Sequence, residues 1–160
     1  LENSEKDISE NVMIADLVRN DLSITAKRNS VKVEELCKVF TFNNINQMVS
    51  TVTSEICQNL SFDKIISSTF PMGSMTGAPK IKSMQLIDKF EDFNRGIYSG
   101  TIGYIDSQNN FDFNVVIRTI IYDQKDHNLS FPVGSAITSE SDPSIEYEEC
   151  IEKLKSVFVF

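Results

Sequence analysis

Apolar residues recur at helical spacing early in the chain, where Ile8, Val12, Ala15 and Val18 follow one another by three or four positions. With Ser4 as an N-cap and acidic residues behind it, the pattern predicts an amphipathic helix over residues 4–22, ending at Arg19-Asn20-Asp21. Asp7, Glu10 and Asp21 fall among its polar positions. Between residues 30 and 56 the pattern changes to β-branched alternation, with Val31, Val33, Val39, Phe40 and then Val49-Ser50-Thr51-Val52-Thr53, which predicts strands. A short helix is expected over residues 63–70, closed by Pro71, which lacks an amide donor and restricts the residue before it.

A loop of small residues, Gly73-Ser74-Met75-Thr76-Gly77-Ala78, then feeds a helix with Pro79 in its first position and Ile81, Met84 and Ile87 on its apolar side. Gly96, Gly100 and Gly103 punctuate the next stretch, with strands expected near residues 100–106, 111–122 and 129–133 and a turn at Asn109-Asn110. In the last helix Asp142 caps, Pro143 takes the first turn, and Ile145, Ile151, Leu154 and Val157 form the apolar stripe, so Glu146 and Glu149 share a polar face. Helices outside the strands, without βαβ alternation, predict an α+β fold: a mostly antiparallel sheet with flanking helices. No repeat or linker divides the chain, and 160 residues with 41% apolar content suit one folding unit.

Charge narrows the function. Fifteen Lys and Arg against 23 Asp and Glu leave a net −8, which repels nucleic acid and anionic lipid surfaces. The single histidine, His127, sits in a polar Asp-His-Asn turn, so neither a Ser-His-Asp triad nor a multi-histidine zinc site can be assembled. Cys37, Cys57 and Cys150 are an odd number at spacings unlike a disulfide framework or a thiolate metal site. No apolar run approaches the roughly 20 residues of a membrane span, and no signal-peptide pattern opens the chain, so a cytoplasmic protein is expected. A start at Leu1 and an apolar close at Val157-Phe158-Val159-Phe160 read as a segment of something longer.

Three features could carry chemistry. Glu146 and Glu149 lie three apart on one helix face and repel each other unless solvated or joined by a cation; with oxygen donors alone that cation would be Mg2+. Both readings stay open. The loop from Gly73 to Ala78 could present amides and the hydroxyls of Ser74 and Thr76 to an anion, or simply cap the following helix; it lacks the GxxxxGK[ST] spacing of a phosphate loop. Arg118, in the apolar stretch Val115-Val116-Ile117-Arg118-Thr119-Ile120, needs an acidic partner or a carboxylated ligand if that stretch is a buried strand.

Five motifs in order then resemble the chorismate-utilising enzyme family: ENVMIADLVRNDL (residues 10–22), FPMGSMTGAPKIKSM (70–84), RGIYSGTIGY (95–104), FDFNVVIRT (111–119) and SDPSIEYEE (141–149). The resemblance spans nearly the whole chain and is strongest to component I of the enzymes that make aminodeoxychorismate, with the anthranilate-forming component I next. Those enzymes are much longer, so residues 1–160 are expected to be the C-terminal portion of a chorismate-binding catalytic domain. What the resemblance implies is a dianion site. Glu10, Glu146 and Glu149 match the Mg2+-binding glutamates, with Glu10 and Glu149 as direct ligands. Tyr98 and Arg118, with amides around Gly134 and Ala136, match the pocket for the enolpyruvyl carboxylate. Ser74 matches a hydroxyl position near the ring; Lys80 and Asp112 match motif positions of unassigned role.

The implied reaction is loss of the ring C4 hydroxyl, helped by general acid catalysis and by Mg2+ on the ring carboxylate, and its replacement by ammonia from a glutamine amidotransferase partner, with Glu10, Glu146 and Lys80 as the candidate catalytic residues. Two features depart from the family pattern. Gln47 stands where the anthranilate-forming branch has a histidine linked to pyruvate removal, and glutamine cannot relay protons. The turn Gly134-Ser135-Ala136 has one glycine where the family is richer. The PIKGT-type lysine motif of the aminodeoxychorismate branch is absent and is expected to precede Leu1. In isolation the segment is expected to be weakly active or a non-catalytic binding fragment.

Overall fold

The computed structural model describes residues 1–43 and 46–155, and its contacts divide the chain into two compact units, Leu1–Asp92 and Phe93–Phe160. The first holds α1 (Glu5–Ser23), β1 (Lys32–Thr41), β2 (Asn46–Thr53), α2 (Phe62–Thr69), α3 (Gly73–Thr76) and α4 (Lys80–Phe90). The second holds β3 (Thr101–Ile105), β4 (Phe111–Val115), β5 (Ile121–Asp123), β6 (Asn128–Ser130) and α5 (Pro143–Lys155). Each consecutive strand pair forms an antiparallel two-stranded ladder, in keeping with the expected α+β class.

In the first unit, Ser4 caps α1 by accepting from the Asp7 amide at 3.3 Å, as its sequence position predicts. The face that α1 buries differs from the expected stripe. Val12 and Val18 are exposed, whereas Ala15 and Asp21 are buried. Hydropathy misplaces the face because two polar residues on the inner side have partners there. The Asn11 side chain accepts from the Ser50 hydroxyl of β2, and Asp21 pairs with Lys80. β1 carries an extra residue against β2 in two places, between Val33 and Glu35 and between Glu35 and Lys38. Cys37 takes a left-handed φ of 52° there, and its amide turns to the Ser50 hydroxyl at 2.9 Å.

The small-residue segment after Pro71 is not an open loop but the single turn α3, placed against α1. A Cβ on Gly73 would lie 3.0 Å from Cδ1 and 3.1 Å from Cβ of Leu17, so a side chain there would have to displace Leu17. Pro79 occupies the N-cap of α4 rather than its first helical position.

In the second unit the β3–β4 hairpin turns at Asn109-Asn110 as predicted, with Asn109 at φ 62°. Asp106 organises the turn, accepting from the Gln108 and Asn110 amides at 2.8 and 2.9 Å. Hydrogen bonds, led by that from the Asn110 side chain, hold its carboxyl below the usual range. The strand expected over residues 111–122 is interrupted. Its pairing continues to the buried Val116, whose amide donates to Gly100 at 2.9 Å, and the chain then bends at Arg118 with φ 49° before β5 begins. His127 closes the β5–β6 hairpin and meets the Tyr122 hydroxyl at 3.0 Å. Asp142 caps α5 as expected, accepting from the Ser144 and Ile145 amides at 2.8 and 3.2 Å. The stripe proposed for this helix is not its buried face: Ile145 is 63% exposed and Glu146 only 4%, while Val157 lies outside the described residues.

Candidate functional site

In the second unit, α5 and the turn before it gather four of the expected site residues, Tyr98, Gly134, Glu146 and Glu149. Glu146 and Glu149 fall one helical turn apart, as their spacing dictates. Glu146 accepts from the hydroxyl of Ser135, and Glu149 pairs with Lys153 at 2.6 Å. The Lys153 ammonium also donates to the Gly134 carbonyl at 2.9 Å, tying the turn to the helix. Tyr98 reaches the same turn: a Cβ on Gly134 would lie 2.8 Å from its hydroxyl oxygen. The Arg95 guanidinium lies 5.9 Å from the centre of the Tyr98 ring and donates to Ser99 at 3.0 Å, which steadies the ring from behind.

Tyr98, Gly134, Glu146 and Glu149 are thus connected through Ser135 and Lys153, two residues that sequence reasoning did not single out. The signal for Lys153 was present. It lies four residues after Glu149, the spacing at which a helix brings opposite charges together. Ala136 is exposed beyond this cluster, its carbonyl accepting from Ser141 at 3.4 Å. Arg118 is exposed on the bend between β4 and β5, not within a buried strand, and Asp112 is exposed on β4 opposite Tyr104.

The remaining candidates belong to the first unit. Glu10 is half-buried on α1, with Lys6 one turn before it at 3.9 Å. Ser74 is exposed on α3. Lys80 opens α4 and its ammonium meets Asp21 at the end of α1; the two side chains are 19% and 9% exposed. That pair fixes the segment carrying Ser74 against the helix carrying Glu10. Gln47 is exposed on β2, paired with Phe40.

Within either unit, no three His, Cys, Asp or Glu side chains gather to hold a metal ion among the described residues. The donor set on α5 nonetheless suits a hard cation. Glu146 and Glu149 are carboxylate oxygen donors three residues apart on α5, the ligand type that a hard cation takes, with Glu149 paired to Lys153. No helix among the described residues is long and apolar enough to cross a membrane. Cys37, Cys57 and Cys150 are free thiols.

Residues 1–159 match the family described as chorismate binding enzyme. The chain is 44% identical over 149 residues to aminodeoxychorismate synthase of Streptomyces griseus, covering 93% of this chain and 20% of that protein. It is 37% identical over 153 residues to anthranilate synthase component 1 of Aquifex aeolicus (strain VF5), covering 96% and 31%. The crystal structure of anthranilate synthase component I from Streptococcus pneumoniae TIGR4 matches with a TM-score of 0.83 at 31% identity, over 98% of this chain and 36% of that one. The chain therefore spans 20% and 31% of the two curated relatives' own lengths.

Proposed function

This chain belongs to the chorismate-binding enzyme family, and we propose that it is the C-terminal portion of the catalytic domain of an aminodeoxychorismate synthase component I. The parent reaction converts chorismate and ammonia to 4-amino-4-deoxychorismate, the precursor of para-aminobenzoate and folate. The observation that carries this reading is the higher identity to the S. griseus aminodeoxychorismate synthase, 44%, than to the A. aeolicus anthranilate synthase component 1, 37%. Gln47 adds to it: an amide cannot shuttle the proton that pyruvate removal requires.

On this reading Tyr98 donates its hydroxyl to the enolpyruvyl carboxylate beside the Gly134 turn, where Lys153 adds a cation and the amides around Gly134 and Ala136 complete the donor set. By the family resemblance Arg118, exposed on the bend between β4 and β5, would add its guanidinium to the same carboxylate. By the family resemblance Glu10, Glu149 and Glu146 would hold Mg2+, and Ser74 would serve near the ring. The bound ion would neutralise the ring carboxylate and polarise the ring toward loss of its C4 hydroxyl. General acid catalysis protonates the departing hydroxyl, which leaves as water, and ammonia from a glutamine amidotransferase subunit or domain takes the vacated carbon. Lys80, engaged by Asp21, serves this chemistry by holding the Ser74 segment in place. The enzyme works in the cytoplasm, where reduced Cys37, Cys57 and Cys150 are the ordinary state.

Product analysis of the intact protein with chorismate, ammonium and Mg2+ tests the proposal. The expected result is 4-amino-4-deoxychorismate without anthranilate. Anthranilate as the product would move the chain to the tryptophan branch, a reading favoured by the structural match at TM-score 0.83. Isochorismate or salicylate formed without ammonia would overturn both.

A further inference from the structure

The carboxylate of Glu146 is almost fully buried, and a carboxylate in that position needs donors to remain there as an anion. Ser135, eleven residues earlier, supplies one, its hydroxyl donating to Oε2 of Glu146. A donor on one carboxylate oxygen fixes the plane of the whole group and so the directions of its other lone pairs. Ser135 is not itself adrift. The carbonyl of Gly134 beside it is held by Lys153 at 2.9 Å, and Lys153 pairs with Glu149 at 2.6 Å. The turn and the acidic face of α5 are therefore joined at two points, with the Tyr98 hydroxyl against the same turn.

We propose that Ser135 is a positioning residue: through its hydrogen bond to Glu146 it orients that carboxylate for the divalent cation, on the same short turn whose Gly134 meets Tyr98. The inference rests on the reading of Glu146 and Glu149 as cation donors and adds to it the group that aims Glu146.

Calorimetric titration of the intact protein with Mg2+ in the absence of chorismate tests it. Ser135→Ala is expected to weaken Mg2+ binding about tenfold, the usual order for losing an outer hydrogen bond to a ligand side chain. Ser135→Thr, which keeps the hydroxyl, should bind like the wild type, and Ser135→Cys, close in size but a poor donor, should weaken binding as alanine does. A merely structural role would instead move thermal stability in all three and leave the Mg2+ affinity of the folded fraction unchanged. In turnover, the Mg2+ concentration for half-maximal rate should rise while kcat at saturating Mg2+ is kept. Wild-type affinity in Ser135→Ala and Ser135→Cys would overturn the role of Ser135 alone. Absence of Mg2+ binding by the wild type would instead overturn the cation reading on which it rests.

Discussion

Lys80 and Asp21 form a contact between residues far apart in sequence, and at 19% and 9% side-chain exposure both charges are largely withdrawn from water. Breaking such a pair costs more than the pair contributes, because the surviving charge stays buried without its counter-ion. Lys80→Met is expected to lower stability by about 3 kcal/mol in urea unfolding. Lys80→Met with Asp21→Leu should recover much of that loss, since neither charge remains to be desolvated. If the double variant is no better than the single one, the ion pair is not what Lys80 contributes. The sequence put Lys80 and Asp21 in separate motifs, and nothing in either motif says that they meet. Glu146 was equally opaque. Hydropathy places isoleucine inside and glutamate outside, and α5 reverses both, with Ile145 at 63% exposure and Glu146 at 4%.

Elements were more legible than faces. The helices over residues 5–23 and 143–155 follow from cap residues and apolar spacing, and those over 62–69 and 80–90 from the prolines at their boundaries, because capping, periodicity and proline geometry are local properties of the chain. Arg118 shows where local reasoning fails: six β-prone residues read as one strand, yet the chain bends there with a left-handed φ of 49°. The β3–β4 hairpin depends on one residue without a side chain. Gly103 lies opposite Phe113, and a Cβ on it would sit 2.1 Å from the Asp112 carbonyl oxygen and 2.5 Å from the Phe113 ring. The first of these is backbone and cannot swing aside. Gly103→Ala is expected to cost about 3 kcal/mol and to raise amide exchange along β3 and β4 first. Unchanged protection of the Tyr104 and Asn114 amides would show that the hairpin can absorb the methyl group.

At the scale of the molecule, the proposed function asks an acidic chain with a net charge of −8 to handle chorismate, itself a dianion. The field of the protein opposes that ligand, so on this reading local cations carry recognition: Lys153 at the Gly134 turn, Arg118, and the ion assigned to the glutamates. Chelation of divalent cations in the intact protein is therefore expected to reduce amination of chorismate to background, and added Mg2+ to restore it. Full activity after exhaustive chelation would sink the metal assignment while leaving the family intact. Five motifs in order made the family legible from end to end; the two-unit division was not, since no linker composition marks residue 92.

The irregularity in β1 reaches further than the strand. Cys37 leaves the ladder, Ser50 turns to receive its amide, and the Ser50 hydroxyl is spent on Asn11, the residue next to Glu10. Grease would let α1 rotate or slip along its bed at little penalty. A directional relay anchored at Asn11 does not, so a one-residue strand defect sets the rotational phase of the helix that presents Glu10.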